Sequence, residues 1–288
     1  MPAAGRLLAS QWIAALVARV PDQVAAAFGG SAFVGHRLRR LARSLPRRSP
    51  GEFAFPFGRV AYVDAASLRS QYAELFVQQQ YDFECGHEAP FIIDCGGNIG
   101  MSVIRFKQRY PKSTIVTFEA DPAIAAVLAK NVSNFGLTDV TVVNAAAWIA
   151  SGSVSFAIDG ADSGRLVGSG DGELISAVRL ADYVDRPVDL LKMDIEGAEF
   201  DVLADLSESG ALGKVERLIV EVHCGKAGWH RVAELIDALQ RNAFVLCIQY
   251  ACCAPHLHLE RIPSPFSAVP DGKCLLHLYA WRDPERRC

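Results

Sequence analysis

The stretch Phe91–Ser102, with the sequence FIIDCGGNIGMS, constrains the fold of this chain more than any other feature. Three apolar residues run into the acid Asp94, a turn with three glycines and Asn98 follows, and the next residues have helical apolar spacing. A buried strand that enters a helix through such a turn leaves exposed N–H groups, which favour polar or anionic ligands. The stretch therefore predicts a strand–turn–helix unit with a ligand-binding turn, although the turn alone also fits a plain connection.

Strand and helix patterns alternate regularly from Phe91 onward. Further strands are predicted at TIVTFEA, VTVVNAAAW, DLLKMDI and VERLIVEVH, and a hairpin-like insertion at SVSFAID to ISAVRLADYV. Two late strands, FVLCIQY and CLLHLYAW, have no clear helix between them, which indicates an antiparallel edge. Strands that alternate with helices indicate βαβ units, so we predict an α/β fold with a mostly parallel sheet.

Three regions are expected: a basic, alanine-rich extension at 1–50, a strand/helix cap at 51–90 and the main domain at 91–288. The extension carries eight arginines against one acid. Its first apolar run, RLLASQWIAALVARV, is too short and too charged to span a bilayer and has no convincing signal-peptide cleavage site. The following HRLRRLARSLPRRSP is amphipathic and fits either a solvated helix or a surface that contacts anionic lipid or an acidic partner.

Charge and cysteine content limit the partners and the compartment. A net charge of −3 gives no general case for nucleic acid as a partner. The eight cysteines form no C-x-x-C pair and mostly lie in apolar runs, so we expect reduced thiols in a cytoplasmic, or membrane-peripheral, protein. A zinc site from Cys252, Cys253, His256 and His258 has no recognisable ligand spacing, and we predict no metal.

The residues that end the strands indicate the cofactor, because ligands of such sheets bind beyond the carboxyl ends of the strands. Glu119 ends its strand 25 residues after Asp94 and is placed to accept both hydroxyls of a ribose, as NAD and S-adenosylmethionine both require. Dinucleotide enzymes use G-x-G-x-x-G in the first turn, whereas here an acid begins the turn. A carboxylate repels a pyrophosphate but attracts an ammonium and a sulfonium, so we expect S-adenosylmethionine.

Four motifs together resemble the FkbM family of S-adenosylmethionine-dependent methyltransferases: FIIDCGGNIG, TFEADP, the AAAW strand end and KMDIEGAE. The resemblance covers about 72–222 and implies a class I methyltransferase (Rossmann-like) fold, whose mostly parallel seven-stranded sheet has an antiparallel edge strand. It also implies methyl transfer to a hydroxyl of a sugar, glycan or natural-product acceptor. Two departures are mild, since Gly97 stands where alanine is frequent and Ala120 where proline is frequent.

The resemblance also implies roles for individual residues. The expected cofactor-binding residues are Asp94, Gly96, Asn98, Gly100, Glu119, Asp121, Trp148 and Asp194. The first four are expected to hold the amino-acid half of the cofactor, Glu119 the ribose, and Asp121 and Trp148 the edge of the adenine. Asp121 fits a helix N-cap equally well, and Trp148 fits a core position.

His223 and Asp194 are the candidate catalytic residues. A base must remove the hydroxyl proton over about 2.6–3.2 Å, and His223 ends the fifth strand at the crevice. Asp194 is the first polar residue after the fourth strand, and together with Glu221 it offers a weaker alternative, a divalent metal site. Glu196 and Glu199 open the next helix, where acids favour the positive end of the helix dipole. This structural role is as good an explanation as a role in the site for Glu196, and a better one for Glu199.

Other functions fit the sequence less well. A methyltransferase for nitrogen or for a lipid-linked glycan differs only in the acceptor, and the basic extension favours the lipid-linked version. An NAD-dependent oxidoreductase is disfavoured by Asp94 and the glycine spacing, and a non-catalytic cofactor-binding protein by the intact acids. The acceptor, the methylated position and the oligomeric state do not follow from the sequence.

Overall fold

The computed structural model describes residues 30–158, 164–166, 172–224, 228–251 and 274–282. The first apolar run of the extension, the cluster of Cys252, Cys253, His256 and His258, and the middle of the predicted insertion lie outside these residues. The N-terminal elements are α1 (Ser31–Ser44), β1 (Gly51–Phe55), β2 (Gly58–Tyr62) and α2 (Ala65–Tyr72), which continues into a π-helical turn, Ala73–Val77. No helix in the described ranges is long and apolar enough to cross a membrane.

The main domain alternates strands and helices, as predicted. Its first elements are β3 (Phe91–Cys95), α3 (Met101–Arg109), β4 (Thr114–Phe118), α4 (Pro122–Asn134), β5 (Val140–Val143) and β6 (Ala146–Trp148). The insertion and the next strand are β7 (Gly152–Ala157), β8 (Arg165–Leu166), β9 (Glu173–Arg179) and β10 (Leu190–Met193). The last elements are α5 (Glu199–Glu208), β11 (Arg217–Cys224), α6 (Trp229–Arg241), β12 (Phe244–Ala251) and β13 (Cys274–Arg282).

Seven strands form the central sheet in the order β12-β13-β11-β10-β3-β4-β5. All neighbours are parallel except β13, which is antiparallel to both β11 and β12. The predicted α/β fold with a mostly parallel seven-stranded sheet is therefore confirmed. The antiparallel strand lies one position in from the edge, because β13 inserts between β11 and β12. Strand order reverses between β3 and β10, so the crevice for a ligand lies beyond the carboxyl ends of these strands.

The predicted insertion forms a small second sheet in the order β6-β9-β7-β8. Its antiparallel β7–β9 pair matches the expected hairpin. The sequence VTVVNAAAW, predicted as one strand, divides into β5 of the central sheet and β6 of the second sheet. Asn144 stands at the division, and its side-chain amide donates to the carbonyl oxygens of Glu119 (2.9 Å) and Ala120 (3.4 Å). This break turns the chain away from the central sheet beside the end of β4.

Apolar side chains cover both faces of the central sheet. One face packs against α5 and α6 through Leu203 and Leu235, and the other packs against the N-terminal elements, where Leu38 of α1 is fully buried. The buried amide of Asn131 on α4 joins the cap to the main domain, because it donates to the carbonyl oxygens of Ala61 (2.9 Å) and Ile99 (2.7 Å) and accepts the N–H of Ala61. The cap is therefore fixed to the turn that follows β3.

Candidate active site

Two glycines shape the turn after β3. The N–H groups of Gly96 and Gly97 both donate to the carbonyl oxygen of Phe118, at 2.9 and 2.8 Å, which joins the turn to the end of β4. A Cβ on Gly96, whose φ is +83°, would lie 1.9 Å from the carbonyl oxygen of Asp194, and a Cβ on Gly97 would lie 2.1 Å from Thr117 Oγ1. Position 96 therefore requires glycine, because a backbone atom blocks its Cβ, while a Cβ at position 97 would require the side chain of Thr117 to move.

Asp94 lies fully buried beneath this turn. Its Oδ2 accepts hydrogen bonds from Ser102 (2.7 Å) and Thr117 (3.3 Å), and its Oδ1 is 3.3 Å from Nζ of Lys192, a buried residue of β10. The expected contact of Asp94 with a cofactor stays a prediction, but the structure adds a counter-ion that sequence reasoning missed. A lysine within the apolar run DLLKMDI was the available signal, because charged residues are rarely buried unless paired.

Glu119 ends β4 and joins two loops of the crevice. Its Oε2 accepts the N–H of Asn98 (2.8 Å), and its Oε1 accepts the N–H of Asp121 (2.9 Å). Burial raises the pKa of Glu119 to about 7, although these two backbone donors act in the opposite direction. A carboxylate offers about four acceptor sites, so each oxygen can accept one more donor. From the other side, Gln71 of α2 donates to Asn98 Oδ1 at 3.0 Å, which joins the cap to the turn.

The predicted adenine-side residues occupy different environments. Asp121 is the N-cap of α4, since its Oδ1 accepts the N–H groups of Ala123 (2.8 Å) and Ile124 (3.3 Å). Its Oδ2 is buried without a hydrogen-bond partner among the described residues. Trp148, half-buried at the end of β6, packs against the central core and the second sheet. The helix-capping alternative for Asp121 is therefore observed, and the contacts of both residues with adenine stay predictions.

A cluster of acids surrounds His223 at the carboxyl ends of β10 and β11. His223 Nδ1 lies 3.0 Å from Glu199 Oε1, and His223 Nε2 lies 3.4 Å from Glu196 Oε2 and 4.0 Å from Asp194 Oδ1. Glu221 Oε1 is 3.9 Å from the same Nε2. Glu199 is fully buried and also accepts N–H groups of the loop that follows Asp194, so its carboxylate orients the imidazole.

Burial and the neighbouring carboxylates shift the pKa values of Asp194, Glu196 and His223. Burial and the charge of Glu221 raise the pKa of Asp194 to about 6, and burial raises the pKa of Glu196 to about 8. Burial alone would lower the pKa of His223, but the hydrogen bond with Glu199 and the other carboxylates outweigh it and raise the pKa to about 10. At neutral pH the imidazole is therefore cationic and Asp194 is mostly ionised.

Two groups of side chains in the described residues could each offer three ligand atoms within 4.8 Å of one another to a metal. Asp194, Glu196 and His223 form one at the crevice, with donors that several divalent cations accept. Cys85, His87 and Asp189 form the other, where Asp189 also accepts the N–H of Phe91 at the amino end of β3. That the protein needs no metal for its function stays a prediction.

Comparison with known proteins places this geometry in context. The family model of the methyltransferase FkbM domain matches residues 94–246, just over half of the chain. Methyltransferase 1 of Beauveria bassiana is 26% identical over 221 residues, which cover 66% of this chain and 87% of that protein. Methyltransferase sdnD of Sordaria araneosa is 28% identical over 191 residues, with 52% and 74% covered. The solved structure of methyltransferase FkbM from Methylobacillus flagellatus KT matches 75% of this chain and 56% of its own, at 16% identity and a TM-score of 0.43.

Proposed function

The chain belongs to the FkbM methyltransferase family, and we propose that it is an S-adenosylmethionine-dependent O-methyltransferase that acts on a hydroxyl of a sugar, glycan or natural-product acceptor. The observation that carries the proposal is the meeting of two sets of side chains across one crevice. Glu119 and the turn at Asn98 lie at the ends of β3 and β4, while Asp194 and His223 lie at the ends of β10 and β11. A cofactor and an acceptor would thus lie side by side.

The residues present fit S-adenosylmethionine. Glu119 keeps an acceptor site on each oxygen for the two ribose hydroxyls, and Gly96 and Gly97 let the backbone come close to a ligand. Asp94 is neutralised by Lys192, so the net negative charge of the crevice comes from the acids around His223. This charge would attract the ammonium and sulfonium groups and repel a pyrophosphate, which disfavours NAD. The bound cofactor supplies an electrophilic methyl group on a positively charged sulfur.

The residues at the ends of β10 and β11 would remove the proton from the acceptor hydroxyl. At neutral pH the ionised carboxylate of Asp194 is the available proton acceptor, because its pKa is about 6. His223, with a pKa of about 10, is cationic there and serves as an orienting donor to Glu199. The sequence-based role of His223 as the base requires its neutral form, which is reached only at high pH. Positioning of the hydroxyl against the methyl group provides the rest of the rate.

A second candidate is metal-assisted methyl transfer, which the three ligand atoms of Asp194, Glu196 and His223 favour. In that case a divalent cation would orient the hydroxyl and lower its pKa. Transfer to nitrogen is the remaining alternative. A neutral amine attacks through its lone pair without first losing a proton, so the cluster of proton-accepting groups favours a hydroxyl acceptor.

Calorimetric titration with S-adenosylhomocysteine, S-adenosylmethionine and NAD tests the cofactor. We expect both sulfur compounds to bind and NAD not to bind; NAD binding without S-adenosylhomocysteine binding would overturn the proposal. The acceptor is then sought by release of S-adenosylhomocysteine in the presence of nucleotide sugars, glycan fragments and matched amino sugars. Turnover on amines alone would replace O-methylation by N-methylation.

The proposal includes contact of α1 with an anionic membrane surface. Val34 and Leu38 hold one side of α1 against the core, while Arg39, Arg40 and Arg43 are exposed on the other side. Cationic side chains on a helix anchored in this way suit anionic lipid headgroups, at about 1 kcal/mol for each charge. Because α1 is part of the core, substitution of the arginines is a cleaner test than deletion of 1–50.

A flotation assay with phosphatidylserine–phosphatidylcholine vesicles compares two triple variants of equal charge. The test variant replaces the three exposed arginines of α1 by glutamine. The control variant replaces Arg59, Lys112 and Arg241 by glutamine, since these side chains are 67%, 71% and 69% exposed elsewhere on the surface. We expect only the test variant to lose vesicle binding, and equal bound fractions for the two variants would exclude the membrane contact.

A further inference from the structure

We propose that Lys192 is a positioning residue that holds the cofactor turn and the acceptor-side carboxylate Asp194 in one fixed arrangement. Its Nζ donates to the carbonyl oxygens of Gly96 (2.7 Å) and Cys95 (3.2 Å), 3.3 Å from Asp94 Oδ1 and 3.8 Å from Asp194 Oδ2. These partners come from the ends of both strands that flank the crevice. The inference deepens the proposed function and rests on it, because Asp194 is there the proton acceptor.

The register of the sheet explains how one ammonium reaches both sides. Lys192 of β10 stands directly opposite Asp94 of β3 in the parallel pair. Asp194, two residues further along and directly after β10, lies towards the same face, since side chains alternate along an extended chain. Lys192 is therefore set between two carboxylates, with the ring of Tyr81 5.5 Å from its Nζ. The ammonium donates to two carbonyl oxygens and forms an ion pair with Asp94 as well, whereas an apolar residue of similar length has no donor and no charge.

The burial of the Lys192 side chain supports this positioning role. The side chain of Lys192 is only 3% exposed, and a charge is retained at such a position when it is paired and hydrogen-bonded. Asp94 alone would satisfy the ammonium as a counter-ion. The short contact with Gly96 and the approach to Asp194 are additional, and they connect the turn to the site of proton removal. A purely structural ion pair would need neither of them.

Lys192 also fixes the position of Asp194. Its Nζ is 3.8 Å from Asp194 Oδ2, while Asp194 Oδ1 is 4.0 Å from Nε2 of His223. The carboxylate is therefore held from both sides, one oxygen towards each nitrogen. Removal of the ammonium should leave one of these oxygens without its partner and misplace the proton acceptor, so turnover should fall as well as cofactor binding.

The test compares Lys192→Met and Lys192→Arg with a matched control, Lys107→Met. Lys107 is a second buried lysine, and its Nζ donates to the carbonyl oxygen of Ser113 (2.5 Å), away from the crevice. We expect Lys192→Met to weaken S-adenosylhomocysteine binding at least about tenfold and to lower kcat at saturating substrates about tenfold. Lys192→Arg should regain part of the lost kcat, and Lys107→Met should lose thermal stability with neither other effect.

The outcomes separate this inference from the proposed function. If the wild type does not bind S-adenosylhomocysteine, the proposed function fails. If it binds, and folded Lys192→Met keeps both the wild-type affinity and the wild-type kcat, the positioning role is refuted. Should circular dichroism show Lys192→Met unfolded, the double variant Asp94→Asn/Lys192→Met removes both members of the buried ion pair. Its kcat then supports the role if it is lower than that of Asp94→Asn and refutes the role if it is not.

Discussion

Glu119 should make cofactor binding depend on pH, and Glu119→Gln should remove that dependence. Both carboxylate oxygens already accept a backbone N–H, and burial raises the pKa of the group to about 7. Ribose hydroxyls donate more strongly to a carboxylate than to a neutral acid, which also gives up acceptor capacity to its own proton. Binding should therefore strengthen as the pH rises through 7 and the proton leaves.

The size of the effect follows from the titration. With a pKa of about 7, roughly one-tenth of the protein has ionised Glu119 at pH 6 and roughly nine-tenths at pH 8. The dissociation constant of S-adenosylhomocysteine should therefore fall about tenfold between these pH values. Each hydrogen bond to a charged group contributes about 1.5–3 kcal/mol, and glutamine retains one acceptor oxygen. At pH 8, Glu119→Gln should therefore bind about 10- to 100-fold more weakly.

Isothermal titration calorimetry at four pH values from 6 to 8, at constant ionic strength, measures both effects. Glu84→Gln is the matched control, because its side chain is 92% exposed and pairs with Arg109 at the end of α3 that is remote from the turn. It should follow the wild type at every pH. A wild-type dissociation constant that changes less than twofold over this range would refute the reasoning. So would a Glu119→Gln variant with the same pH slope as the wild type, since the slope would then belong to another group such as Asp194.

Three further predictions concern the base, the metal and the turn. Asp194→Asn should lower kcat at neutral pH about 10²- to 10⁴-fold. The kcat of the wild type should rise through pH 6 and then stay constant. A rise in kcat that continues to pH 10 would assign the base to His223 instead. Dialysis against EDTA should leave kcat unchanged, whereas a loss that Mg²⁺ or Mn²⁺ restores would establish metal assistance. Gly97→Ala should lower the free energy of unfolding by about 1–3 kcal/mol in thermal denaturation, because the added Cβ would lie 2.1 Å from Thr117 Oγ1. Gly213→Ala is the control and should match the wild type, because no atom lies within 4 Å of the added Cβ.

The order of the elements could be predicted because their signals are local. Asp121 and Pro122 indicate the start of α4, since they are its N-cap and its first helical residue. Glu119 follows a run of apolar residues that predicts a buried strand. The register between strands of the sheet could not be predicted from such local signals. Lys192 meets Asp94 only because β3 and β10, far apart in sequence, pair in parallel with these residues opposite each other. No pattern within either segment specifies that pairing.

A cationic cofactor is still favoured, but the acids that would attract it are not the one that the sequence suggests. Sequence reasoning placed the attraction at Asp94, whose carboxylate in fact faces Lys192 and two hydroxyls beneath the turn. The uncompensated charge lies across the crevice, where the carboxylates around His223 outnumber the cations near them. Burial raises the pKa of Glu196 to about 8, and the charges of Asp194, Glu199 and Glu221 act in the same direction. A sulfonium placed between the turn and this cluster would relieve the repulsion and lower that pKa. Proton release from Glu196 should therefore accompany the binding of S-adenosylmethionine, and the neutral sulfur of S-adenosylhomocysteine should release fewer protons. Calorimetry in buffers of different ionisation enthalpy measures this difference, and equal proton release with the two compounds would place the positive sulfur outside the reach of the cluster.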